Sequence, residues 1–236
     1  MKLVRFDDPE ALFAYAAERF AHIGAAAIRD RGRFLVALSG GKTPRPLFER
    51  LASPGYAERL DWSAVDVFWA DERCTPPDDP ASNYGSAHRA LLVKVSIPPE
   101  NVHRIHGELS PLAAADLYEL SLRAVLGEEG RLDLIVLGIG ADGHTASLFP
   151  RHQALTEADR WVVPVHVPAD PPWRVTMTLP LINAARHVLM LVAGAEKAGT
   201  VRDLASGKPL PASRVQPVDG SPAILVDAEA ASLLEG

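Results

Sequence analysis

The chain has 236 residues, 47% of them hydrophobic and 23% charged, enough to bury a sizeable core and too apolar for intrinsic disorder. A formal net charge of −6 excludes a general nucleic-acid or acidic-membrane surface, so an anionic ligand has to be held by a few local cations. Cys74 is the single cysteine, which excludes an intrachain disulfide framework and fits a reducing compartment. Residues 1–30 carry charges throughout and no apolar run approaches membrane length, so the cytoplasm is the expected location.

Residues 9–29 are rich in alanine, with Leu12, Phe13, Ala16, Phe20, Ile23 and Ala27 near helical spacing and Asp8 placed to cap them. That pattern predicts an amphipathic opening helix. Apolar runs at 34–38, 65–70, 132–137 and 187–192 predict strands, each followed by a polar or glycine-containing turn and a helix-like segment. Weaker strand patterns fall at 161–167, 175–179 and 223–226, and helices are expected at 46–52, 84–92, 111–126, 195–205 and 228–234. The alternation predicts one α/β domain over 1–236, with a mostly parallel sheet and helices on both faces. Proline clusters at 76–80, 98–99 and 168–172 read as loops too short to be interdomain linkers.

Ligands of open α/β sheets bind beyond the carboxyl ends of the strands. Four polar turns occupy that position here: SGGKTP at 39–44, ADER at 70–73, GIGADGH at 138–144 and AGAEK at 193–197. They are expected to converge on one crevice. In the first, Ser39, Gly40, Gly41 and Thr43 precede Pro44, which suits the first turn of a helix; free N–H groups there favour an anion. GKT suggests a Walker-type phosphate loop, but Val36 stands where that pattern needs glycine, so the pattern fails. Cations to hold an anion are Arg73, Arg174 and Lys197, with arginine offering bidentate geometry.

The third turn places Gly138, Gly140 and Gly143 around Asp142 and His144. Imidazoles exchange protons near neutral pH, and a carboxylate two residues away can orient one, so a catalytic loop is expected. The spacing also satisfies the dinucleotide fingerprint G-x-G-x-x-G. Against that reading, Pro150 disrupts any helix within two turns, and Asp142 would face the pyrophosphate. His103 and His106 form an H-x-x-H without a suitably spaced third ligand, so no metal is expected. Cys74 beside Arg73 offers an alternative nucleophile, working with His144.

LSGGKTP at 38–44, WADER at 69–73, SNYGSA at 82–87, GIGADGHTASLFP at 138–150 and RVTMTLPLIN at 174–183 together resemble the 6-phosphogluconolactonase family, within the wider group that includes glucosamine-6-phosphate deaminases. The resemblance spans most of the chain in order. It implies a Rossmann-like α/β fold and hydrolysis of 6-phosphoglucono-1,5-lactone to 6-phosphogluconate in the pentose phosphate pathway, without a required cofactor. In the deaminases the corresponding loop continues with Asn-Glu-Pro, whose glutamate assists ring opening; here Ser147, Leu148, Phe149 and Pro150 follow. A phenyl ring cannot shuttle a proton. The lactonase reading makes His144 the general base on water, with Asp142 or Asp71 orienting it and Gly140 and Gly143 as candidate oxyanion donors. Ser39, Gly40, Gly41 and Thr43 hold the 6-phosphate in this reading, with Arg73, Arg174 and Lys197 as counter-charges. A non-catalytic sugar-phosphate sensor is the alternative of a different class, but the acidic chain has no spare length for a DNA-binding helix-turn-helix. The sequence leaves oligomeric state open.

Overall fold

The computed structural model describes residues 2–234. In chain order its elements are β1 (Lys2–Arg5), α1 (Pro9–Arg31), β2 (Phe34–Leu38), α2 (Arg45–Leu51), α3 (Pro54–Ala57), β3 (Val65–Trp69), β4 (Asp71–Arg73), α4 (Asn83–Ala90) and α5 (Pro111–Leu126). They continue with β5 (Leu134–Gly138), β6 (Val162–His166), β7 (Trp173–Met177), α6 (Leu179–Ala184), β8 (His187–Val192), α7 (Ala198–Ala205) and β9 (Ala223–Val226). Six strands form a sheet in the order β1-β9-β8-β5-β2-β3, and every pairing in it is parallel. A second sheet, β4-β7-β6, is antiparallel.

Both faces of the parallel sheet are covered: every residue of β3 is buried, as are the first four of β5. That is why these strands read as unbroken apolar runs in the sequence. α1 buries Leu12, Phe13, Ala16, Phe20, Ile23 and Ala27, and Asp8 caps it by accepting from Ala11 N–H at 2.7 Å. Phe20 meets Phe34 of β2 edge-on, centroids 5.3 Å apart. One apolar cluster runs through both sheets, from Leu12 to Val226 and including Val162 and Val175. No helix of the described residues is long and apolar enough to cross a membrane.

The chain passes between the two sheets at Ala70. Its N–H donates to Leu38 of the parallel sheet and its carbonyl accepts from Met177 of the antiparallel one, both at 2.8 Å. Tyr118 of α5 locks the same point, because its hydroxyl both accepts from and donates to the Trp69 backbone at 2.8 Å. The 70–73 segment expected as a turn is therefore largely a strand, β4. Its charged sequence hides that role, since Glu72 is buried by accepting N–H groups of Arg73, Asn83 and Tyr84, each at 2.7 Å.

Three other expectations need correction. The 175–179 strand is shifted to Trp173–Met177, and Leu179 opens α6. The 195–205 helix is split into a 3-10 turn at Ala195–Lys197 and α7. Residues 228–234 form successive turns rather than a helix: one i to i+4 bond, Ala231 N–H to Asp227, is followed by i to i+3 bonds at Ser232 and Leu234.

Asp66 on β3 is buried and bonded by Arg33 at 2.7 Å and His103 at 2.8 Å. Burial raises its pKa, but the His103 and Arg33 bonds outweigh it, so the net shift is downward. A depressed carboxylate contributes stability that is present above the unfolded value and is lost as pH falls through the folded one. Asp66→Asn is expected to cost about 2 kcal/mol at pH 7, the worth of a hydrogen bond to a charged group, and to flatten the decline in stability below pH 4. Urea titrations at pH 7 and pH 3 check this; parallel pH dependence in wild type and variant would count against it.

Candidate functional site

The segments after β2, β3, β5 and β8 converge as the sequence predicts, the one after β3 as strand β4 rather than a turn, on a crevice of about 1050 Å³. Ser39, Gly40, Gly41 and Thr43 line it beside Asp71, Arg73, Gly140, Asp142, His144, Arg174 and Lys197. Gly143 is not among the lining residues; it packs beneath the loop, where a Cβ on it would lie 2.9 Å from Leu210.

The 138–144 loop folds back on itself. Gly140 N–H donates to the His144 carbonyl at 2.8 Å and Gly143 N–H to the Gly140 carbonyl at 2.9 Å. Those two N–H groups are thus spent inside the turn, which corrects the expectation that they face a developing oxyanion. Thr145 Oγ1 ties the turn to the Gly138 carbonyl at 2.9 Å, and Thr200 Oγ1 of α7 holds the Ala141 carbonyl at 2.7 Å.

What the turn presents is a dyad. Asp142 Oδ1 lies 2.5 Å from His144 Nδ1 and accepts from His144 N–H at 3.1 Å. Burial works against the Asp142 charge, but the two His144 contacts more than offset it and lower its pKa. An ionised carboxylate only accepts, so Nδ1 donates in this contact and Nε2 is the ring nitrogen that Asp142 does not engage. The ring packs against Phe149, centroids 4.4 Å apart. Gly140 makes room for it, because a Cβ there would lie 2.1 Å from His144 Nδ1.

Asp71 has different partners and does not orient His144. Its Oδ2 accepts from Ser147 Oγ at 2.7 Å, while Asn83 Nδ2 donates to its carbonyl at 2.9 Å. Asn83 and Ser147 line the crevice and were missed as site residues. Asn83 follows the α4 cap, Ser82, so in sequence it reads as part of a helix start. Ser147 lies 76 residues from its partner, which no local spacing reveals.

The electrostatics favour an anionic ligand. Lys42, Arg73, Arg151, Arg174 and Lys197 line the crevice against three carboxylates, Asp71, Asp142 and Glu196. None of these five cations forms an ion pair among the described residues, although the chain as a whole is acidic. Arg73 and Arg174 are register partners on β4 and β7. Burial, and then the charge of Arg73, lower the pKa of Arg174, an unfavourable pairing that an anion between them would relieve. Each is aimed by a backbone acceptor: Arg73 Nη1 donates to Ala81, and Arg174 Nη1 to Pro171 and Trp173. Backbone N–H groups of Gly40, Gly41, Lys42 and Thr43 have no partner among the described residues.

The alternatives drawn from the sequence fare differently. After the glycine turn the only regular segment before β6 is a 3-10 turn at Gln153–Thr156, so no helix N-terminus is available to a pyrophosphate. His103 and His106 are engaged by different carboxylates, Asp66 at 2.8 Å and Glu108 at 3.2 Å. Cys74 lies outside the crevice lining, and burial pushes its thiol up to about 11, opposite to what a nucleophile needs. Cys74→Ser should retain wild-type turnover, and the thiol should react slowly with iodoacetamide at pH 8; rapid alkylation with loss of activity would contradict that placement.

Fold and crevice together define an α/β protein with a cation-lined crevice carrying an Asp–His dyad at the carboxyl end of a parallel sheet. The family model of glucosamine-6-phosphate isomerases/6-phosphogluconolactonase matches residues 7–224, and the chain belongs to that family. It is 42% identical over 195 residues to a 6-phosphogluconolactonase of a Nostoc species, covering 80% of this chain and 79% of that one. It is 39% identical over 248 residues to a probable chloroplastic 6-phosphogluconolactonase of Oryza sativa subsp. indica, covering 98% of this chain and 76% of the relative. The crystal structure of the Thermotoga maritima 6-phosphogluconolactonase superposes with a TM-score of 0.84 at 28% identity, covering 96% of this chain and 98% of that one.

Proposed function

We propose that the protein hydrolyses 6-phosphoglucono-1,5-lactone to 6-phosphogluconate in the pentose phosphate pathway. The observation that carries this reading is the Asp142–His144 dyad, its Nε2 not engaged by Asp142, in a crevice with more cations than carboxylates. His144 Nε2 takes a proton from water as its oxygen attacks the lactone carbonyl carbon. On collapse the bond from that carbon to the ring oxygen breaks, and the imidazolium returns the proton to the departing ring oxygen. Side-chain cations, rather than the glycine turn, stabilise the intermediate oxyanion. The phosphate is held by the free N–H groups of 40–43 with Arg73, Arg174 and Lys197 as counter-charges, which sets the carbonyl against His144.

Phe149 favours the lactone over an amino sugar. Its ring fills the space beside His144 where the deaminase chemistry needs an acid, and hydrolysis has no use for that acid. Proton release from fresh lactone in a weakly buffered assay tests the proposal. Saturable acceleration over spontaneous ring opening is expected, and a rate equal to the spontaneous one would overturn it.

A further inference from the structure

Two polar atoms in the crevice are buried without any hydrogen-bond partner among the described residues: Ser39 Oγ and Asn83 Oδ1. Their residues are only 5% and 2% exposed. Buried polar groups are nearly always paired, so an unpaired couple in a ligand crevice marks a partner that arrives with the ligand.

The orientation of the Asn83 amide is dictated by its surroundings. Asp71 offers it two acceptors, the carbonyl at 2.9 Å and Oδ1 at 3.4 Å, so the amide nitrogen must face Asp71 and the oxygen must face away. Asp71 is itself fixed by Ser147 Oγ, and the Asn83 N–H is held by Glu72 at 2.7 Å. The amide oxygen lies against Gly40, the neighbour of Ser39, so closely that a Cβ there would be 1.8 Å from it. Asn83 and Ser39, both of which line the crevice, are therefore neighbours across Gly40.

We infer that Asn83 Oδ1 and Ser39 Oγ form the subsite for one secondary ring hydroxyl of the sugar, and that this pair determines specificity. The inference rests on the lactonase reading. An amide oxygen only accepts, so it needs a donor; a phosphate dianion has none to give, and the unpaired cations already serve an anion. A neutral hydroxyl donates to Oδ1 and accepts from the serine with no change of charge. A site built for a hydroxyl rejects the analogue that lacks it, because its own buried groups are then left unpaired.

The test compares kcat/KM for 6-phosphogluconolactone and its 2-, 3- and 4-deoxy analogues in wild type, Ser39→Ala and Asn83→Ala, with melting temperatures alongside. One deoxy lactone is expected to fall by about 10-fold or more in wild type. Each variant should lose a comparable factor on the parent lactone but little further on that one analogue, so the two losses do not multiply. Ser39→Ala breaks no internal bond and should melt at or above the wild-type temperature while its activity falls, which a structural role would not produce. Should Asn83→Ala fail to fold, Ser39→Ala decides alone. Equal losses on all four lactones, or no loss on the parent, would overturn the inference. Failure of the lactonase reading shows differently, as a wild-type enzyme that does not accelerate the parent reaction.

Discussion

His144→Ala should lower kcat on 6-phosphogluconolactone by about 10²- to 10⁴-fold, the contribution of a positioned general base. The dyad sits on a turn whose shape comes from backbone bonds and from Thr145 and Thr200, none of which uses the imidazole. The fold should survive, and KM should change less than kcat, because the lost contact matters in the transition state rather than in substrate binding. Asp142→Asn should fall between wild type and His144→Ala: the amide can hold the ring through one bond but removes the charge that stabilises the imidazolium. Circular dichroism and kcat on matched preparations check both. A folded His144→Ala protein with near-wild-type kcat would remove the base from the mechanism.

Arg174→Leu should lower kcat/KM for the phosphorylated lactone by about 10- to 100-fold, the range of one charge-assisted hydrogen bond, and leave unphosphorylated gluconolactone nearly unaffected. Arg174 is buried beside Arg73 with no carboxylate partner, so the free protein carries an unfavourable pairing that the substitution relieves. With that repulsion relieved but the bonds to the Pro171 and Trp173 carbonyls given up, the variant should melt close to wild type while losing its preference for phosphate. Loss of activity combined with a clear fall in melting temperature and an unchanged preference would make Arg174 a structural residue.

How much was legible in the sequence follows from where each signal lies. The strands of the parallel sheet are buried on both faces, so Val65–Trp69 and Leu134–Gly138 declare themselves as apolar runs. β4 does not, since Asp71, Glu72 and Arg73 look like a solvated turn until the start of α4 delivers two N–H groups to Glu72. Asp142 and His144 were legible because their contact spans two residues. Asp71 was misassigned as a possible partner of His144 because its actual partner, Ser147, lies 76 residues away in the chain. Composition identified the glycines of the third turn, but the direction of the Gly140 and Gly143 N–H groups depends on how that turn closes. The pairing of Arg73 with Arg174 required the register of β4 on β7, which spacing along the chain does not encode.

Lactone hydrolysis through His144 is tested by a paired assay of wild type and His144→Ala, with fresh 6-phosphogluconolactone in one vessel and glucosamine 6-phosphate in the other, following acid release and ammonia. Wild type should accelerate acid release from the lactone, His144→Ala should lose nearly all of that acceleration, and no ammonia should come from the amino sugar. Ammonia release by wild type, with lactone opening no faster than in buffer, would contradict it.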